Sequence, residues 1–254
     1  MLTRQYSSYP FHLTRPFALG GGSAGVATLY LQSASGGLYR DDDLAVAIDV
    51  GSGAAAEVTT QASTVVHDTK GMPARLRQRA AVAAGGFLAL WPDPTILLPG
   101  AVLHQEVDIT LEAGASAVVA ESWLTHDPLG LGRPFGELRS ATIIRRGDGR
   151  TLVADRQLVR GSDWQLALGS AEGWLAAGSA FLLGAVADRV SPAGLTDTLQ
   201  IADVAGGASA LPHGAGIGVR LLARDGVALS AALTAVWRAA FRATFDINPA
   251  PRRK

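Results

Sequence analysis

The chain has 254 residues, in which 22 Lys and Arg balance 22 Asp and Glu, so its formal net charge at pH 7 is zero. This balance excludes a basic protein that wraps nucleic acid through its phosphates. Hydrophobic residues make up 48% of the chain and charged residues only 17%, which excludes a disordered protein and allows a sizeable core. Cysteine is absent, so disulfides, thiolate metal ligands and a cysteine nucleophile are excluded.

The apolar segments are too short to cross a membrane as helices. Residues 80–91 form one of the longest, yet glycines interrupt this stretch and it falls short of the roughly 20 residues that span a bilayer. The first 20 residues hold no long apolar run behind a basic segment, so the sequence predicts no secretory signal. We therefore expect a cytoplasmic protein. Its zero net charge favours a protein that works in a complex, because self-repulsion does not keep it apart from others.

The first two-thirds of the chain has the pattern of short strands separated by glycine-containing turns. Leu44, Val46, Ile48 and Val50 alternate with smaller or polar residues, which places them on one face of a strand. A weak repeat supports this prediction: residues 47–56, 79–88 and 108–117 resemble one another and begin 32 and 29 residues apart. Stacked copies of such a unit form a β-solenoid or a pair of stacked sheets. The alternative is chance similarity among segments rich in Ala, Gly and Val.

The last third combines strands with helices. Residues 143–153 predict a hairpin around Gly147-Asp148-Gly149, and short strands are expected to continue to residue 190. Residues 195–204 could form a helix. A second helix is predicted at about residues 229–245, where an apolar stripe follows a period of 3.6 residues: Leu229, Leu233, Val236, Trp237, Ala240, Phe241 and Phe245. We expect this stripe to pack on a sheet, although part of it could bind a partner.

No local motif predicts an enzyme. The five histidines are too scattered for a zinc site, and no Gly-x-Ser-x-Gly sequence is present. The glycine run at residues 20–22 lacks the lysine of a phosphate-binding loop and predicts a turn. The scarce carboxylates are of more interest, because a hard or borderline cation binds oxygen ligands. Asp41-Asp42-Asp43 is interpreted as a solvated turn or a cation site, and Glu121 and Glu137 as partners in ion pairs or groups along a polar passage.

Several segments, in order along nearly the whole chain, resemble the urease accessory protein family known as UreD, or UreH in some organisms. Residues 36–44, which begin with Gly36 and Gly37, are similar to its Gly-Gly-x-x-Gly-Gly-Asp-x-Leu element and align Asp42 with the aspartate. Residues 59–66 and 90–96 resemble its Thr-Thr-Gln-Ala-Ala-Thr-Lys-Val and Trp-Leu-Pro-x-Glu-Thr-Ile stretches. The remaining matches are Glu121, Gly132, Arg133, Gly136, Glu137, residues 211–214, Arg220 and Trp237.

The resemblance implies one domain over residues 1–254, mainly β, with a stacked two-sheet, β-solenoid-like body, a C-terminal α-helix and few other helices. It implies a non-enzymatic scaffold that joins an F-type accessory protein (UreF-type) and, through it, a G-type GTPase (UreG-type) to apo-urease, in an assembly that could be homodimeric. It also implies an internal passage for Ni²⁺, with no tightly bound cofactor. The expected passage residues are Asp42, Thr59, Thr60, Gln61, Glu121 and Glu137.

The sequence departs from the family pattern at four places. Arg40 and Asp41 replace two glycines, Val65 replaces a lysine, His67 replaces a tyrosine and Pro94 replaces a glutamate. Two other functions stay open at this point. One is a β-solenoid interaction module unrelated to nickel, and the other is a carbohydrate-processing β-solenoid enzyme, for which the low aromatic content of 6% is unfavourable.

Overall fold

The computed structural model describes residues 2–18, 25–169 and 173–250. The glycine run at residues 20–22 and the C-terminal residues 251–254 lie outside this range. The described residues are mainly β, as the sequence predicts. The strands are β1 (Phe11–Leu13), β2 (Val26–Ser33), β3 (Asp43–Val50), β4 (Ala55–Thr60), β5 (Val65–Val66), β6 (Ala74–Val82), β7 (Phe87–Leu90), β8 (Thr95–Leu97), β9 (Val102–Leu111), β10 (Ser116–Thr125), β11 (Glu137–Arg146), β12 (Thr151–Arg160), β13 (Ala176–Leu183), β14 (Val204–Ala210) and β15 (Gly216–Ala223).

Successive coils of chain build two facing sheets. The first sheet contains β2, β4, β7 and β10 as parallel neighbours, and the second contains β3, β6, β9 and β11 as parallel neighbours. Each coil contributes one strand to each sheet, which is the arrangement of a β-solenoid. The register reproduces the sequence repeat, because residue 47 pairs with residue 79 and residue 79 with residue 108. The offsets of 32 and 29 residues are therefore coil lengths, and the predicted repeat is confirmed.

Antiparallel strands complete both sheets. On the first sheet β13 pairs with β10, β15 with β13, and β14 with β15, while β1 covers the opposite edge at β2. On the second sheet β12 pairs with β11 through the predicted hairpin. The short strands β5 and β8 extend the first sheet beside the end of β10.

Within the described part of the chain, helices are few and most of them are short. They are α1 (Gly161–Trp164), α2 (Ala185–Asp188), α3 (Pro192–Thr198) and α4 (Gly226–Phe245), with a π turn at Gln165–Gly169 and a 3₁₀ turn at Pro212–Gly214. None of the described helices is long and apolar enough to cross a membrane.

Two predictions for the last third need correction. The helix expected at residues 195–204 begins earlier and ends earlier, because Ser191 caps it by accepting a hydrogen bond from the Gly194 amide and Pro192 occupies its first turn. Asp203 then adopts a left-handed φ of 64°, and β14 begins at Val204. Between the end of β12 and residue 190, the described residues hold one strand, β13, with helical turns on either side rather than a series of strands.

The C-terminal helix α4 packs on the face of the first sheet that points away from the second sheet. Asp225 caps it by accepting a hydrogen bond of 2.8 Å from the Ala228 amide. The predicted stripe is buried, with Leu229 0%, Trp237 5% and Phe241 1% exposed. The Trp237 ring lies 5.6 Å from the ring of Trp91 in the loop after β7. The prediction that this stripe packs on a sheet is confirmed.

Replacement of Trp237 by alanine tests how much the packing of α4 on the first sheet stabilises the fold. We expect Trp237→Ala to lower the free energy of unfolding by about 3–5 kcal/mol, because the cavity it leaves cannot close. Val227→Ala on the same helix is the control, since Val227 is 81% exposed and should change stability by less than about 0.5 kcal/mol. Urea titration measures both, and equal losses would contradict this packing.

Candidate functional site

Two cavities lie along the space between the sheets. The first, here called the N-terminal cavity, has a volume of about 290 Å³ and is lined by residues of β2, β3, β4, β6, β9 and β10. The second, the C-terminal cavity, has a volume of about 630 Å³ and is lined mainly by β12, β13, β14 and β15. Glu121 on β10 lines both cavities. Glu121 is therefore a residue common to both cavities.

A polar band on the inner face of the second sheet explains why the space stays open there. In-register pairing aligns Ala80, Ile109 and Ile144 in one apolar row, and a second apolar row lies further along the strands. Between these rows the same ladders place four polar side chains: Gln78, Gln105, Ser140 and Thr142. The inter-sheet core is accordingly divided into two separate apolar clusters. Polar side chains face the cavities where apolar ones would otherwise interlock.

Glu121 faces this band from the opposite sheet. It is 8% exposed, and its Oε2 accepts a hydrogen bond of 3.0 Å from the Thr142 hydroxyl. Its Oε1 atom is buried and has no hydrogen-bond partner within normal geometry among the described residues. A buried carboxylate oxygen without a well-oriented donor is costly in free energy.

Burial raises the pKa of the Glu121 carboxyl above its ordinary value. The neighbouring side chains of Ser140, Gln105 and Thr142 oppose this effect because they donate toward the carboxylate, and the negative charge of Asp155 adds to it. The carboxyl therefore holds its proton more firmly than an exposed glutamate does.

An ion pair crosses the C-terminal cavity from one sheet to the other. Arg220 on β15 binds Asp155 on β12 through two hydrogen bonds, Nη1 to Oδ2 at 2.9 Å and Nη2 to Oδ1 at 2.6 Å. The guanidinium also lies 5.4 Å from the ring centroid of Phe181. Arg220 is thus a structural bridge as well as part of a cavity wall.

The sequence analysis missed most of the polar groups around Glu121. Gln105, Ser140, Thr142 and Asp155 carry no local motif, and only the strand register brings them to the same place. A signal in the sequence could have found three of them. Gln105, Ser140 and Thr142 occupy the same alternate positions of β9 and β11 as the buried apolar residues, which places them on the inner face.

Thr59, Thr60 and Gln61 lie at the end of β4 and line the N-terminal cavity. Each also has a structural hydrogen bond. The Thr59 hydroxyl donates to the Trp91 carbonyl at 2.7 Å, and the Thr60 hydroxyl accepts from the Asp93 amide at 2.9 Å. Gln61 accepts from the Gln32 side chain at 2.6 Å.

Asp42 and Glu137 line neither of these two cavities. Asp42 stabilises the turn before β3, where its Oδ2 accepts a hydrogen bond of 2.8 Å from the Tyr39 amide. Glu137 lies on the outer face of the second sheet beside three basic groups: Arg139 at 2.6 Å, His104 at 3.7 Å and Arg160 at 3.9 Å. The hydrogen bond from Arg139 lowers the pKa of the Glu137 carboxyl, and partial desolvation opposes it. Four of the six residues predicted for the passage thus line the two cavities.

Three of the motif glycines have clear backbone roles. A side chain at Gly37, whose φ is 137°, would overlap the Val65 carbonyl, and one at Gly136 would lie 2.8 Å from a Val102 methyl. Gly132 has a φ of 68° and its carbonyl accepts a hydrogen bond from Gln165, while the amide of Arg133 donates to Asp127 at 3.0 Å. The Gly36 carbonyl contacts the His67 ring at 3.0 Å.

The described residues contain no group of three His, Asp or Glu side chains arranged to hold a metal ion.

Comparison with known proteins decides the family. The family model described as UreD urease accessory protein matches residues 1–254. The chain belongs to this family. It is 48% identical to urease accessory protein UreD 1 of Methylorubrum extorquens (strain PA1), over all of this chain and 87% of that protein. It is 41% identical to UreD 1 of Bradyrhizobium sp. (strain BTAi1) and 35% identical to UreD 1 of Pseudomonas syringae pv. tomato, each over all of this chain and 90% of the relative.

The structure explains two departures from the UreD pattern. Asp41, which replaces a glycine, has a φ of 64° in the left-handed region that glycine favours and aspartate tolerates. His67, which replaces a tyrosine, stacks on the Tyr39 ring at a centroid distance of 4.5 Å. These substitutions keep the turn before β3 in place.

The raised pKa of Glu121 gives a testable dependence of stability on pH. The folded chain binds more protons than the unfolded chain between the two pKa values, so its stability falls as pH rises through that range. Glu121→Gln removes this loss. We expect the free energy of unfolding of the variant, minus that of the natural chain, to increase as pH rises above about 4. Urea unfolding at several pH values up to 8 measures both.

Glu137→Gln is the matched control, because the pKa of Glu137 is shifted in the opposite direction. The natural chain should lose stability as pH falls below the ordinary pKa of Glu, so the relative stability of the variant should decrease as pH rises toward about 4 and stay constant above it. The same slope for both variants would show that the environment of Glu121 is not as described.

Proposed function

We propose that this chain is a non-enzymatic urease maturation scaffold that conducts Ni²⁺ toward the active site of apo-urease through the space between its two sheets. Membership of the UreD urease accessory family supports the urease role. The observation that carries the passage is that the two cavities share Glu121, whose buried Oε1 has no hydrogen bond of normal geometry among the described residues.

The chemistry of the lining suits a cation that passes rather than stays. Nickel accepts oxygen ligands, and conduction requires that each site bind the ion weakly enough to release it. Along the proposed route such oxygens come singly from Thr59, Thr60, Gln61 and Glu121, with the Asp155–Arg220 pair in the cavity beyond. The Arg220 guanidinium neutralises Asp155, so this carboxylate does not form a deep trap for the ion while the pair is intact.

The proposed partners are those that the family resemblance implies. They are an F-type accessory protein, a G-type GTPase bound through it, and apo-urease, in a complex that could be homodimeric. Asp42 and Glu137 lie near the surface and outside both cavities, so a role for them would require a route that extends along the exterior. Their inclusion in the passage stays a prediction.

Replacement of Glu121 tests the passage. We expect Glu121→Ala to lower the nickel content and the activity of urease matured with it by about tenfold, because one carboxylate ligand on a conducted path is lost. Nickel per purified urease is measured by elemental analysis after co-expression. Glu106→Ala is the matched control, because Glu106 is an exposed glutamate on the outer face of the second sheet.

The outcomes separate three possibilities. Normal nickel content with Glu121→Ala overturns the passage, even when the accessory complex still forms. Normal urease nickel in a strain that lacks this protein altogether overturns the urease role and favours an interaction module unrelated to nickel. Co-purification with the F-type protein shows whether a variant has lost only its partner.

A further inference from the structure

Strand β3 ends the stack of coils in the second sheet, and its outer edge is free. The strand order of that sheet is β12-β11-β9-β6-β3, so β3 has a hydrogen-bonded neighbour on one side only. On the first sheet, by contrast, β1 pairs with the edge of β2, and Phe17 forms a further bridge to Thr28. Within the described part of the chain, nothing pairs with the outer edge of β3.

The backbone direction shows which groups this edge presents. The Asp42 carbonyl accepts a hydrogen bond of 2.7 Å from the Arg75 amide, and the Val50 carbonyl accepts one of 2.9 Å from the Ala83 amide. Along a strand, the backbone N–H and C=O groups of alternate residues point to the same side. Those of the even-numbered residues of β3 therefore bond to β6. The N–H and C=O groups of residues 43, 45, 47 and 49 therefore point away from β6, toward the free edge.

The side chains at this edge leave room for another strand. Ala45 and Ala47 are exposed and small, and the inward-facing Leu44, Val46 and Ile48 are only half-buried, whereas the equivalent Ile109 on β9 is fully buried. Residues 43–50 contain no proline or lysine, and their pairing with β6 has no bulge, so the protections that these features give an edge strand are missing and only Asp43 and Asp49 carry charge. Leu44 also lines the N-terminal cavity, beside which an added strand would lie.

The charges on the outer face of β3 indicate which kind of segment would bind at its free edge. Asp43 and Asp49 are both exposed on the outer face, six residues apart. Asp43 is paired with Arg77 at 2.7 Å, and Asp49 has no ion pair among the described residues. A second copy paired antiparallel about Val46 would place Asp43 opposite Asp49 twice, and like charges directly opposite one another are destabilising.

We propose that the free edge of β3 binds an extended segment of a partner protein as an added strand. That segment has apolar side chains at alternate positions, facing Leu44, Val46 and Ile48, and basic side chains opposite Asp43 and Asp49. Backbone hydrogen bonds supply affinity and the alternating side chains supply selectivity, as in other cases of strand addition. Leu44 is shared with the N-terminal cavity, but binding at this edge does not depend on the proposed nickel route.

A symmetrical peptide tests the proposal in either strand direction. The probe is fluorescein-labelled Lys-Val-Thr-Val-Thr-Val-Lys, whose lysines are spaced like the two aspartates, and fluorescence anisotropy measures its binding to the full chain. We expect saturable binding that Ala47→Pro weakens by about tenfold or more, because proline removes an edge-facing N–H without touching the ladder to β6. Ala47→Thr keeps that N–H and should bind like the natural chain.

Charge reversal is the second test, and it serves if Ala47→Pro does not fold. Asp49→Lys should weaken binding of the lysine peptide about threefold, and the corresponding peptide with glutamate at both ends should bind this variant better than it binds the natural chain. The proposal is overturned if the lysine peptide does not bind, if Ala47→Pro with an unchanged circular dichroism spectrum binds equally well, or if charge reversal has no effect. Dimers of the natural chain that Ala47→Pro abolishes would assign the edge to a second copy instead.

Discussion

In-register pairing between successive coils is the constraint on which the rest of this structure depends. Because each coil repeats the path of the one before it, residues at equivalent positions form rows across each sheet. Rows of Ala, Ile and Leu pack the sheets together, whereas the two rows between them mix Leu or Val with Gln, Ser and Thr. The inter-sheet cavities lie beside these mixed rows, and the open edge at β3 follows from its position at the end of the stack.

The sequence predicts the strands, their stacking and the C-terminal helix because these depend on periodicity. The 32- and 29-residue offsets are coil lengths, and the apolar stripe containing Trp237 packs on a sheet. The site is harder to predict, since a polar residue on a strand carries no sign of what faces it. Family resemblance identifies Glu121, but Thr142 and Asp155 come close to it only through the ladders between β9, β11 and β12 and the facing of the two sheets.

Asp42 and Glu137 illustrate a different limit. Both match family motifs, yet one stabilises a turn and the other lies among basic side chains on an outer face. A carboxylate that caps a turn and one that meets a cation look alike in a sequence, because both follow or precede a strand and both lie near glycines. Only the direction of the side chain distinguishes them, and that direction changes with a single-residue shift along a strand.

The environment of Glu121 is costly for stability, because a buried carboxylate with one unpartnered oxygen is worse than an apolar residue of similar volume. Its raised pKa has a consequence for the proposed route. A cation that binds the carboxylate must displace any proton held there, so its affinity for this point falls as pH falls. Thr142, Gln105 and Ser140 limit that proton affinity by favouring the charged form. The polar band thus opposes part of the effect of burial on this pKa, while Oε1 is left without a hydrogen bond of normal geometry among the described residues.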